Sequence, residues 1–109
     1  MENLEKNIQN LKILSCCDKA LKNKLISKGD KSLILTLTEC VLNTLNGNVK
    51  ISDRDKEKLA KKKYLLRKLL SCKSIKAKRE NLIQQGGYLQ YILPAAITLI
   101  STLLERTKK

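Results

Sequence analysis

Leu4, Ile8, Leu11, Leu14, Leu21 and Leu25 return at steps of three, four and seven, the spacing that lines up one face of a helix. Gly29 is a stop signal, and Asp30 or Ser32 supplies an N-cap for a second helix. The stretch from Ser32 to Leu45 is apolar almost all round, through Leu33, Ile34, Leu35, Leu37, Cys40, Val41, Leu42 and Leu45, which predicts a buried central helix. Asn46-Gly47 ends it with a residue that accepts positive φ freely. Ser52 or Asp53 caps the next helix, and Asp53, Asp55 and Glu57 place carboxylates at the positive end of its dipole. Leu59, Leu66, Leu69 and Leu70 share one side of this helix; Lys61, Lys63, Arg67 and Lys68 cover the other. A break at residues 71–74 leads to a further helix from Ser74 to Gln85, capped by Ser74.

Gly86-Gly87 then marks a hinge or helix break. Beyond it Leu89, Ile92, Leu93, Ala96, Ile97, Leu99, Ile100, Leu103 and Leu104 fall within an arc of about 160° on a helical wheel. Gln90, Pro94, Thr98, Ser101 and Thr102 fill the other side. Such a helix packs on the core, docks on another protein or lies in a membrane interface; Pro94 interrupts it and argues against spanning a bilayer. The pattern predicts an all-α protein, a small helical domain of about four to five helices in three segments. Residues 1–49 form the core, 50–85 are basic and helical, and 86–109 hold the Gly-Gly hinge and the amphipathic tail.

At 109 residues the chain supports one domain with a thin core. Without Phe or Trp, that core is Leu, Ile, Val and Ala, which suits packed helices better than a sandwich.

Charge divides the chain along the same lines. Residues 1–49 carry a net +2, residues 50–80 a net +9, residues 81–104 none, and residues 105–109 a further +2. A total of +13 repels itself in a compact state, and a polyanion is the natural reason to keep it. Double-stranded DNA and an anionic membrane are the two candidate partners. Between Lys58 and Arg79 stand ten cations and no acid: Lys58, Lys61, Lys62, Lys63, Arg67, Lys68, Lys73, Lys76, Lys78 and Arg79. Ordinary solvated helix faces alternate sign, so these ten are the candidate nucleic-acid-binding residues. The tract offers only Tyr64 for stacking, which favours duplex phosphates over a platform of unpaired bases.

For catalysis the chain offers little. It has no His, no Gly-rich loop ahead of a helix, no paired acids in an apolar setting and no Cys beside a base. No enzyme, cofactor or metal site is expected. Cys16, Cys17, Cys40 and Cys72 show no CxxC spacing, and two of them are adjacent. They are expected as small, reduced, buried apolar groups in a reducing intracellular compartment. Glu2, Glu5 and Lys6 precede no continuous apolar run, so no secretory leader is expected.

The stretch from Glu39 to Asn48, the basic run after it and residues 82–100 (LIQQGGYLQYILPAAITLI) together make a further pattern. Over about residues 35–104 the chain resembles the small basic late protein, protein X, of adintoviruses and other Polinton (Maverick)-type elements. Residues 85–100 are also similar to the end of the adenovirus core protein X (mu) precursor, at Gly86, Gly87, Leu89, Leu93, Pro94, Ala95, Ala96 and Ile97. The chain departs from these patterns at Gln90, where a first Pro is usual, and at Gln85, where an Arg commonly precedes Gly-Gly. Its basic zone is Lys-rich and helical where the adenovirus peptide is Arg-rich.

What the resemblance implies is a virion component, packaged with the genome and found in the virion or host nucleus. It further implies a tail that docks on capsid proteins or perturbs a membrane during entry. The resemblance also implies a protease cut between Gly87 and Tyr88, although Gln84 stands where such sites carry Met, Ile or Leu. The expected function is a viral core or minor capsid protein that condenses double-stranded DNA without sequence specificity. A membrane-active protein and a self-associating helical scaffold are the alternatives.

Overall fold

Four helix starts in this chain are fixed by short polar side chains. A computed structural model describes residues 2–47 and 49–107, and the side chains of residues 6–47 and 49–102. Among the described residues the order is α1 (Glu2–Cys16), α2 (Lys19–Lys28), α3 (Lys31–Leu45), α4 (Asp53–Ala60), α5 (Lys63–Ser71), α6 (Ile75–Gln85), a 3-10 turn (Gly86–Tyr88) and α7 (Leu89–Thr107). The protein is all-helical, as expected. Lys61 and Lys62 separate α4 from α5 where the pattern suggested one helix, and the count exceeds the expected four to five even if these two are taken as one.

Four caps share one chemistry. Asp18 accepts from the Leu21 N–H at 2.8 Å and Asp30 from Leu33 at 3.0 Å; Ser52 accepts from Asp55 at 3.3 Å and Ser74 from Ala77 at 3.0 Å. The Asp18 cap corrects the expected first helix. That helix is broken at Cys17 and Asp18, so Leu21 turns outward at 41% exposed while Ile26 takes the inner face of α2.

Two glycines act differently. Gly47 adopts φ 76, the left-handed conformation that ends α3. Gly29 is extended, with φ −67, and is glycine for want of room: a methyl there would meet Leu33 Cδ2 and sit 2.9 Å from the Leu25 carbonyl oxygen.

All three segments share one core. It takes Leu11 and Leu14 from α1, Ile26 from α2, five residues from α3, Leu59 from α4, Leu66 and Leu69 from α5, Leu82 from α6, and Leu89, Ile92, Leu93, Ala96 and Ile100 from α7. α3 is the central helix its composition predicted, touching α1, α5, α6 and α7. The radius of gyration is 13.1 Å, what one compact domain of about this length shows. A polar staple crosses this interior: buried Asn7 of α1 donates from Nδ2 to Ser32 Oγ at 2.9 Å and to Thr36 Oγ1 at 3.2 Å, both on α3.

Candidate nucleic-acid interface

The ten cations of the acid-free tract divide into three groups. Lys61, Lys63, Arg67, Lys68, Lys73 and Lys76 are exposed, and none makes an ion pair among the described residues. Lys58 and Lys62 lie over the ring of half-buried Tyr91, with Nζ 5.2 and 5.9 Å from its centre. Lys78 and Arg79 face the protein. Lys78 Nζ donates to the carbonyls of Cys72 at 2.6 Å and Leu69 at 3.4 Å, which closes the end of α5. Arg79 donates to the carbonyls of Ile26 at 2.8 Å, Ser27 at 3.4 Å and Gly29, which closes the end of α2.

Helix C-termini leave carbonyls without intrahelical partners and carry the negative end of the dipole, so cations suit them. Lys78 and Arg79 therefore differ from the exposed cations of the expected binding set: part of their hydrogen-bonding capacity closes helix ends inside the fold. A third cation behaves alike. Lys22 on α2 is only 9% exposed, and among the described residues its ammonium makes one hydrogen bond, from Nζ to the Leu82 carbonyl at 3.4 Å. Burial, reinforced by the charge of Lys19, holds its pKa below the usual lysine value. Sequence reasoning passed over Lys22, because what singles it out is a neighbour sixty residues away.

Acids are used locally too. Asp18 and Asp30 cap helices, and Asp53 and Asp55 stand in the first turn of α4. The single ion pair among the described residues joins Lys6 to Asp30 across 3.3 Å on the surface. Exposed Glu57 and Glu80 flank the tract but pair with none of its cations among the described residues, so the exposed cations are free to meet a run of phosphates.

α5 divides this basic surface. Its Tyr64 and Lys68 border a cleft of about 600 Å³ that also takes in Lys19 and Lys22 of α2, Lys62, Gln84, Gln85 and the Gly86–Gly87 backbone. On the opposite flank Lys63 borders a smaller groove of about 430 Å³, lined by Val49, Ile51 and Leu59 with Lys50 and Lys56 at its rim.

The apolar arc of the C-terminal helix faces inward. Leu89, Ile92, Leu93, Ala96 and Ile100 are core residues, and Ile97 packs against them; Leu99 is half-buried. The side chains of Leu103 and Leu104 lie outside the described residues. α7 packs chiefly on α1 and runs unbroken through Pro94, whose ring lies on the exposed side, so the expected interruption is absent. No helix among the described residues is long and apolar enough to cross a membrane.

Gly86-Gly87 does break the helix, but as a 3-10 turn without positive φ. Gly86 is buried, Gly87 is exposed, and Tyr88 next to it is fully buried. The helix break is thus as expected, and a protease reaching the Gly87–Tyr88 bond must first open the turn. The cysteines need correction. All four are free, yet only Cys40 is buried; Cys16 is exposed, and Cys17 and Cys72 are half-buried. Burial pushes the Cys40 thiol up to about 12 and, less strongly, raises that of Cys17.

Fold and surface together define a small helical protein with a one-signed cationic face. Compared with known protein families, curated proteins and solved structures, the chain matches none.

Proposed function

We propose that this protein binds the phosphate backbone of double-stranded DNA without sequence preference and condenses it, as a virion core or minor capsid protein would. The observation that carries the reading is the set of six exposed cations between Lys61 and Lys76, none paired among the described residues, in a tract with no acid. No side chain in this set has the amide, one acceptor beside one donor, that reads adenine, and only Arg67 carries the guanidinium fork that reads guanine. Lysine contacts to phosphate carry no sequence information. The virion setting rests on the resemblance to the Polinton-type basic protein. The charge surface supports the DNA part of the reading.

Neutralising about six phosphates makes log K fall with log salt at a slope near −5. Fluorescence anisotropy with two unrelated duplexes across a salt series measures this. Reversing Lys61, Lys62, Arg67 and Lys68 to Glu should abolish binding while the helical circular dichroism signal survives. A nearly flat salt dependence, or a hundredfold preference for one duplex, would overturn the proposal.

A further inference from the structure

The cleft beside α5 holds groups the duplex reading leaves unused. Lys22 brings an ammonium with three donors into a nearly closed position and gives it, among the described residues, a single long hydrogen bond, to Leu82 O at 3.4 Å. Lys19, Lys62 and Lys68 converge on the same cleft. Asp18 is the one acid at its rim, and that carboxylate already accepts from the Leu21 N–H at 2.8 Å. Four cations against one carboxylate leave the cleft with a net positive charge that an anionic acceptor can meet.

Two further side chains specify more than an anion. Tyr64 borders the cleft and is 68% exposed, an unusual setting for one of only three aromatic rings in the chain. Gln85 borders it too, and its buried Oε1 has no hydrogen-bond partner. An open ring face suits a planar ligand, and a turn of the Gln85 side chain toward the cleft would give its orphaned amide oxygen an N–H donor on that ligand's edge. The volume, about 600 Å³, suits one small molecule and not a strand of stacked bases.

We propose that this cleft binds a single nucleotide unit, its phosphate on Lys22 and Lys19 with Lys62 and Lys68 at the entrance, its base against Tyr64 and Gln85. One aromatic ring makes a poor platform for a run of bases but is sufficient for one. Two sources share this chemistry: a free mononucleotide, and an unpaired nucleotide at the end of a strand. The site shares Lys62 and Lys68 with the duplex surface, whereas Lys19, Lys22 and Gln85 belong to the cleft alone.

The test uses the full chain at low salt with four probes: thymidine 5′-monophosphate, 5′-phosphorylated dT5, inorganic phosphate and a blunt duplex. Titration calorimetry gives affinities, and ¹⁵N–¹H spectra locate binding. Both nucleotide probes should shift the amides of Lys22, Gly86 and Gly87, and inorganic phosphate should bind at least tenfold more weakly. Lys22→Met should weaken nucleotide binding at least tenfold, the loss of a buried charge-assisted contact, and leave duplex affinity within twofold. Tyr64→Leu should weaken it about tenfold through lost stacking. Lys19→Gln, an exposed substitution that leaves the core alone, should weaken it severalfold and covers the case in which Lys22→Met misfolds. Tighter binding of dT5 than of the monophosphate assigns the site to strand ends, and equal binding assigns it to free nucleotides. Amides elsewhere shifting instead, or inorganic phosphate matching the nucleotides with Tyr64→Leu unaffected, overturns the proposal whatever the duplex result.

Discussion

Arg79 is the cation on which sequence and structure disagree most, and its replacement by Met separates the two readings. As a phosphate contact, Arg79→Met would leave stability alone and lower the salt slope of DNA binding by about 0.9. The structure assigns it to the end of α2, where it donates to the carbonyls of Ile26, Ser27 and Gly29. Hydrogen bonds to a charged group contribute about 1.5–3 kcal/mol each in buried settings, and are not additive when one side chain makes them all. Arg79 is half-buried, which lowers the figure, while the α2 dipole adds up to about 1 kcal/mol. Met keeps the aliphatic stem, so packing is retained. The expected loss is about 2–3 kcal/mol, or a fall in Tm on the order of 10 °C for a domain of this size. Urea and thermal unfolding followed by circular dichroism measure it, with exposed Arg67→Met as the control expected within about 0.5 kcal/mol of the parent. Amide exchange should quicken first in α2, and the salt slope of duplex binding should not change. Equal stability of the two variants would refute the capping role and return Arg79 to the binding surface.

Gly29→Ala should destabilise by more than about 2 kcal/mol in urea unfolding, because its methyl meets Leu33 and the Leu25 backbone, whereas Gly87→Ala, with open space and no positive φ, should be neutral or gain about 0.5 kcal/mol. Lys22 starts from an ordinary 10.5 and is lowered in the fold, chiefly by burial and then by Lys19, with Cys17 acting weakly the other way. Below the folded value both states hold the proton and folding bears the whole desolvation cost; between that value and 10.5 the unfolded chain binds more protons, so stability rises with pH. Lys22→Met should remove that rise, seen as the difference between the two proteins' unfolding free energies from neutral pH to 10, and an unchanged rise would count against it. Under native conditions a maleimide should label exposed Cys16 in minutes and leave Cys40, its thiol pushed up to about 12, unmodified until the protein unfolds.

Much of this architecture is legible in local chemistry. Asp30, Ser52 and Ser74 cap the helices that the pattern assigned to them, and Gly47 turns the chain after α3. The break at Asp18 is hidden because the step of seven from Leu14 to Leu21 continues the apolar repeat straight across it. An Asp three residues ahead of Leu21 was the available signal, and it competed with periodicity. The break at Lys61 and Lys62 has no local mark: Lys62 adopts φ −114 with no side-chain cap, and no Gly or Pro stands nearby. The inward roles of Lys22, Lys78 and Arg79 are invisible in one dimension. Which lysine meets a carbonyl depends on where another helix ends in space, and a cation beside an apolar face reads the same whether it reaches water or a backbone oxygen.

The tail shows the same limit with larger consequences. An apolar arc of this width is equally suited to lipid and to the helices of its own chain, and the structure gives it to α1, α3 and the 3-10 turn. Leu89, Ile92, Leu93 and Ile100 are each at most 3% exposed, and burying four such side chains is worth about 8 kcal/mol at about 2 kcal/mol apiece. Small domains have a total stability of about 5–15 kcal/mol, so lifting α7 away is close to unfolding the protein. A bilayer interface would have to return that energy in full before any membrane role begins. Even then, among the described side chains, the polar side of α7, with Gln90, Thr98 and Thr102, brings no cation to an anionic surface. Membrane activity and DNA binding would therefore belong to different states of the chain: the folded domain carries the cationic face, and only an opened one could present the arc to lipid.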